Sequence, residues 1–175
     1  DFTVQSLSGD LSGSAYDVTA EISPINVTAT DAVGNSDISG GLSFRRILQS
    51  GNFLMYSAST SSPLTIADGG SIKTISQFDI SSTQSESTGD YTIGQKDEAM
   101  IVQPDYLSGP LSIIFQQTIS GSNDAEPDSG ALLIEAQDGS RLIMMIQNGY
   151  VDLAVDTNGD EINDGTISTT WADLS

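Results

Sequence analysis

The sequence predicts an all-β protein: an antiparallel two-sheet β-sandwich or jelly roll that ends in a three-stranded meander. Apolar runs of about four to eight residues recur between turn-forming residues, as in strand-rich domains. Lys, Glu and Arg, which usually cover helix surfaces, are scarce, and we find no 3.6-residue apolar period. The chain has 175 residues, of which 37% are apolar, so we expect a single domain over residues 1–175.

Turn-forming residues divide the first two thirds of the chain into short strands. Ser, Thr, Gly, Asp and Asn fill the connections, and β-branched and aromatic residues fill the runs between them. So many strands in one domain imply two packed sheets, because a single open sheet would leave one face in water. The predicted strands are residues 2–7, 16–22, 25–30, 42–48, 53–57, 72–80, 91–93, 99–102 and 111–119.

The C-terminal third predicts the meander. Apolar runs at residues 131–137, 141–147 and 150–155 are separated by Asp138-Gly139 and Asn148-Gly149. These dipeptides are strong signals for two-residue hairpins, because a type I′ turn needs positive φ angles. We therefore expect three antiparallel strands joined by two tight turns.

The middle strand of the meander is apolar on both faces. Leu142, Met144 and Ile146 lie on one face, and Ile143 and Met145 lie on the other. The second face needs a cover. Either a loop of the same chain provides it, or the exposed methionine side belongs to a subunit or ligand interface.

The charge balance excludes several partners. The chain carries 24 acidic and 5 basic residues, for a formal net charge of −19. Nucleic acids and anionic membrane surfaces need basic proteins, so neither is an expected partner. No apolar run approaches the roughly 20 residues of a membrane span. Such acidity suits cation binding or salty water, where screening relieves repulsion, and a marine or halophilic bacterial source is consistent with it.

The residue inventory limits the chemistry. The chain has no Cys and no His, so we expect neither zinc or copper sites nor Ser-His or Cys-His catalysis. The available hard ligands are oxygens, which suit Ca²⁺ or Mg²⁺. We therefore expect a protein that is not an enzyme.

One loop, residues 156–165, has the spacing of a calcium site. Asp156, Asn158, Asp160 and Asp164 supply side-chain oxygens, and Ile162 would offer its backbone carbonyl. Calcium takes six to eight oxygens, which a loop curled around one ion provides. Three carboxylates with no Lys or Arg within ten residues repel one another unless a cation lies among them. The alternative is an acidic hairpin loop that turns the chain without metal.

The pattern Asp-x-Asn-x-Asp-x-x-x-Asp resembles the calcium loops of EF-hands, dockerins and thrombospondin type 3 repeats. It departs from the EF-hand at Glu161 and Ile167, and strands rather than helices flank it. The resemblance therefore implies the ion and the ligands of the first half of the loop. Residues 129–174 are also similar to C-terminal modules of secreted or lipid-anchored proteins of marine gamma-proteobacteria. This second resemblance implies an extracellular or cell-surface location in a bacterium.

These observations favour a non-catalytic, calcium-stabilised structural or adhesive surface protein, such as a matrix component or a filament or adhesin subunit. Its N-terminal segment, residues 1–7, would self-associate by pairing with the sheet edge of a neighbouring subunit. The alternative is a carbohydrate-binding module of a secreted protein, with Trp171 stacked on a sugar of a glycan. Packing in the core is the other interpretation of Trp171.

Overall fold

A computed structural model describes residues 2–9, 15–30, 35–49, 53–68, 70–85, 87–95, 99–122 and 125–174. No helix among these residues is long and apolar enough to cross a membrane. A single 3₁₀ turn at Trp171–Asp173 follows the last described strand. The strands, which confirm the all-β prediction, are β1 (Phe2–Gly9), β2 (Tyr16–Thr30), β3 (Asn35–Gln49), β4 (Phe53–Asp68), β5 (Ser71–Ser76), β6 (Asp79–Ser85), β7 (Tyr91–Gln95), β8 (Met100–Pro104), β9 (Leu111–Gly121), β10 (Ser129–Ala136), β11 (Arg141–Gln147), β12 (Tyr150–Asp156) and β13 (Gly165–Thr170).

The strands form one antiparallel sheet whose order follows the chain. β5 pairs with residues 64–68 of β4 and β6 pairs with residues 53–59, so β5 and β6 lie end to end beside one long strand. Gln77, between them, has a φ of 54°, which marks the break. β7 and β8 lie end to end beside β9 in the same way. The thirteen described strands thus form a continuous meander.

The second sheet of the predicted sandwich is not confirmed, because all described strands belong to one hydrogen-bonded sheet. The prediction assumed that each apolar strand face needs a second sheet, whereas here most apolar side chains are only half-buried. The accessible surface of 10426 Å² exceeds the roughly 8,100 Å² expected for a compact monomer of this mass. The buried apolar residues in the described part of the chain are Tyr16, Ala20, Leu54, Ile119, Ala131, Ile146 and Val151.

Alternation of side chains gives the sheet an apolar face and a polar face. Strand register places Phe44, Leu54, Ile119, Ile146 and Val151 on the same side, which we call the apolar face. Ile119, Ile146 and Val151 form its buried cluster. The best-packed part of the molecule therefore lies in the C-terminal half of the sheet.

The predicted meander is confirmed as β10, β11 and β12. Asn148 and Gly149 have φ angles of 53° and 78°, as a type I′ turn requires. The other turn differs from the prediction, because Gly139 has a positive φ of 87° and Asp138 does not. The Asp138 carboxylate accepts hydrogen bonds from the backbone N–H and hydroxyl of Ser140, which stabilise a local Asx turn instead.

The second face of the middle strand is partly open. Met145 is 55% exposed, and Ile143 beside it is half-buried. No loop among the described residues covers Met145. Both predicted covers, a segment of the same chain and an interface, therefore stay predictions for this side.

Candidate metal centre

The candidate loop joins β12 to β13 at one end of the sheet. Val155 pairs with Gly165, and the backbone N–H of Asp164 donates to the carbonyl of Val155 at 2.7 Å. Gly159 has a φ of 77°, and a Cβ at this position would lie 3.0 Å from the carbonyl oxygen of Gly139. Glycine at 159 therefore allows the loop to approach the β10–β11 turn closely.

Asp156 is the buried anchor of this loop, with 3% of its surface exposed. Its carboxylate accepts hydrogen bonds from the backbone N–H groups of Asn158 (3.1 Å), Gly159 (2.7 Å) and Glu161 (2.9 Å). Burial raises the pKa of this carboxyl, but these backbone donors outweigh burial and hold the pKa below its ordinary value. The loop backbone thus stabilises the Asp156 carboxylate directly.

Asn158 and Asp160 each stabilise a turn one step further along. The Oδ1 atom of Asn158 accepts from the backbone N–H of Asp160 at 2.9 Å. The Oδ1 atom of Asp160 accepts from the backbone N–H of Ile162, also at 2.9 Å. These are successive Asx turns, which explains why Asp and Asn alternate along the loop. Ile162 is 67% exposed.

Asp164 faces the start of the loop. Its carboxylate accepts from the hydroxyl and the backbone N–H of Thr157, the latter at 2.7 Å. These two hydrogen bonds, the hydroxyl one first, lower the pKa of the Asp164 carboxyl. Thr157 is therefore a loop-closing residue that the spacing of acidic residues did not reveal.

Arg141 is the second residue that the sequence prediction missed. Strand register places it opposite Asp156, and its guanidinium contacts Glu161 at 3.1 Å and Glu135 at 3.5 Å. No Lys or Arg lies within ten residues of the loop in the sequence, but the fold brings the guanidinium of Arg141 next to it. The Asn148-Gly149 turn carried the missing signal, because it fixes the register that brings Arg141 opposite Asp156.

The predicted ligands share one loop. Among the residues that the structure describes, no three acidic side chains form a metal-binding group. The donor chemistry fits a hard cation, because Asp156, Asn158, Asp160 and Asp164 are all oxygen donors. Each carboxylate has about four lone-pair sites, and the hydrogen bonds above occupy three on Asp156 and two on Asp164. A shared ion would require the remaining lone pairs to turn toward one point.

Trp171 follows the other end of β13, away from this loop, and packs against the core. It is half-buried against the cluster of Ile119, Ile146 and Val151. Its backbone N–H donates to the carbonyl of Gly149 at 3.2 Å. This placement agrees with core packing, which was one of the two predicted roles of Trp171.

Comparison with other proteins adds no relative: no protein-family model, curated protein or solved structure matches this chain. By its fold, this is an all-β protein whose described strands form one antiparallel meander. Its candidate site is an acidic loop at one end of that sheet.

Proposed function

We propose that this chain is a non-catalytic structural or adhesive protein of a bacterial cell surface. It assembles through the edges of its sheet and is stabilised by calcium in the loop between β12 and β13. The observation that carries the proposal is the open sheet. Among the described residues, β1 and β13 each have a hydrogen-bonded neighbour on one side only.

Both edges have the character of pairing surfaces. Val4 and Leu7 of β1 are 53% and 52% exposed, and Ile167 of β13 is 61% exposed. Neither strand contains a Lys or Pro, the residues that commonly protect an edge from other chains. A bulge between Val4 and Ser6 is the one edge irregularity that β1 shows. Unpaired backbone groups and exposed apolar side chains together favour addition of a strand.

The two edges also determine the kind of assembly. If β13 of one copy pairs with β1 of the next, the contact joins two different surfaces, and repetition gives a filament or a ring. The net charge of −19 opposes this association at low ionic strength. Salt or calcium would relieve the repulsion, which fits a protein that works in a saline exterior.

We expect assembly to depend on β13. Substitution I167K places a charge on the exposed apolar side of this edge, so it should shift the protein toward monomer in about 0.5 M NaCl with millimolar calcium. The measurement is sedimentation velocity over a range of protein concentrations. I72K is the matched control, because Ile72 is 49% exposed but lies on β5, which has a hydrogen-bonded neighbour on both sides. Wild-type protein that stays monomeric throughout contradicts the proposed assembly.

We expect calcium to raise the thermal unfolding midpoint. External calcium modules bind with dissociation constants of about 10⁻⁴–10⁻³ M. At a calcium concentration of about 10 mM, the tighter value corresponds to a stabilisation of about 2.7 kcal/mol, or roughly 5–10 °C. The comparison is between CaCl₂ and a chelator at equal ionic strength, followed by differential scanning calorimetry.

The variant D160A separates binding from charge screening. Asp160 is exposed, so its removal should change the midpoint little in chelator and abolish most of the calcium shift. D37A, which removes an equally exposed carboxylate on β3, should keep the shift. Equal midpoints of the wild-type protein with calcium and with chelator would exclude the metal site.

A further inference from the structure

A second site lies far along the chain from the acidic loop, on the apolar face of β3, β4 and β6. It is an open groove of about 380 Å³. This volume is within the range of small-molecule sites, about 300–1,000 Å³. Its wall is mainly apolar and aromatic, and the lining residues that matter here are Phe44, Arg46, Tyr56, Ala58, Phe78 and Ile80. We call it the Arg46 groove.

Arg46 is the unusual residue of this groove. Its guanidinium carbon lies 5.5 Å from the ring centroid of Tyr16 and 5.4 Å from that of Tyr56. Both contacts are within the distance for cation–π attraction, so the rings hold the guanidinium in place. The ion pairs found among the described residues involve Arg45 and Arg141, and not Arg46. Among the described residues, this cation contacts two aromatic rings and no carboxylate, although the chain has 24 acidic residues.

In the part of the chain that the structure describes, the guanidinium of Arg46 has no carboxylate partner, so its N–H donors can serve a ligand. A guanidinium carries five N–H donors in one plane, and they match a carboxylate bidentately. Beside that edge, Phe44, Ala58 and Ile80 are aligned by strand register into an apolar strip. The groove therefore combines one fixed cation with an apolar track.

We propose that the Arg46 groove binds an amphipathic carboxylate, such as a medium-chain fatty acid, with its head group on Arg46 and its chain along the apolar strip. A glycan fits less well, because sugar recognition needs several convergent polar groups and the lining is mainly apolar. Charge complementarity selects an anion in spite of the acidic surface. This site is independent of the acidic loop and of sheet-edge assembly.

The test is a head-group series on wild-type protein by isothermal titration calorimetry, at about 0.3 M NaCl in chelator. Decanoate should bind saturably, decanol at least about 10-fold more weakly, and decyltrimethylammonium not at all. The expected ratio follows from a charge-assisted, bidentate contact. Because this series uses the unmodified chain, it does not depend on any variant being folded. Equal affinity for decanoate and decanol would overturn the proposal.

R46Q and K73Q form a matched pair. Lys73 is an exposed residue of β5 that does not line the groove, and each substitution removes one positive charge. R46Q should weaken decanoate binding about 10-fold or more, and K73Q should leave it within about twofold. Equal losses would show a general charge effect and overturn the site. A dimer that R46Q dissociates and decanoate does not would assign the groove to a second copy of the chain instead.

Discussion

Substitution I146A should lower the free energy of unfolding by about 3 kcal/mol. Ile146 is 4% exposed and packs in the cluster with Ile119 and Val151. Removing its side chain forfeits hydrophobic burial and leaves a cavity between strands whose backbones are fixed by hydrogen bonds on both sides. For a chain of this length the unfolding midpoint should fall by about 6–12 °C. Urea unfolding followed by circular dichroism gives the free energy.

The neighbouring residue supplies the control. Met145 is on the same strand but points to the opposite face, where 55% of it is exposed. M145A should change the stability by no more than about 0.5 kcal/mol. If M145A costs as much as I146A, the Met145 side is covered in solution, and an interface there becomes the explanation. If I146A leaves the free energy of unfolding unchanged, the cluster of Ile119, Ile146 and Val151 does not stabilise the fold.

Local signals account for the part of the fold that the sequence predicted. Asn148 and Gly149 favour a tight turn whatever surrounds them, because they tolerate positive φ. The alternation in β12 then places Val151 and Leu153 on one face, so strand pairing and the buried side follow together. The three strands, the register of β11 against β12 and the position of the core needed no information from distant residues.

Features that depend on distant pairing were not predictable. The sequence analysis places the end of a strand at residue 57, and the following stretch is rich in Ser and Thr and contains Pro63. In the structure β4 continues to Asp68, since β3 and β5 pair with its second half. The number of sheets is non-local for the same reason. It depends on how much apolar surface the whole chain covers, and periodicity within one strand does not report that quantity.

In the acidic loop, too, the local turns could be predicted from the sequence and the contacts with distant residues could not. The spacing of Asp156, Asn158 and Asp160 correctly places them in one turn-rich loop, because Asx residues favour such turns. From the sequence, these carboxylates were expected to repel one another unless a cation lay among them. That expectation did not include the loop's own backbone N–H groups, which point at Asp156, or Arg141 on the adjacent strand. These donors stabilise the acidic loop before any metal is considered.

Substitution D156A should therefore destabilise the protein even in chelator, lowering the unfolding midpoint by on the order of 10 °C. It removes a buried carboxylate and leaves the backbone N–H groups of Asn158, Gly159 and Glu161 without their acceptor. D152A is the matched control on the same strand. Asp152 is exposed and accepts a hydrogen bond from the Ser168 hydroxyl, so its loss should shift the midpoint only slightly.

The pH dependence of D156A identifies the charged carboxylate as the cause. The pKa of Asp156 is lower in the folded protein than the value of about 3.9 expected in the unfolded chain. A depressed folded pKa contributes stability that is fully present well above that unfolded value and is lost as the pH falls through the folded pKa. The midpoints of wild type and D156A should then differ most above about pH 5 and converge as the pH falls below about 4. A difference that appears only when calcium is added would instead make Asp156 a metal ligand without a structural role of its own.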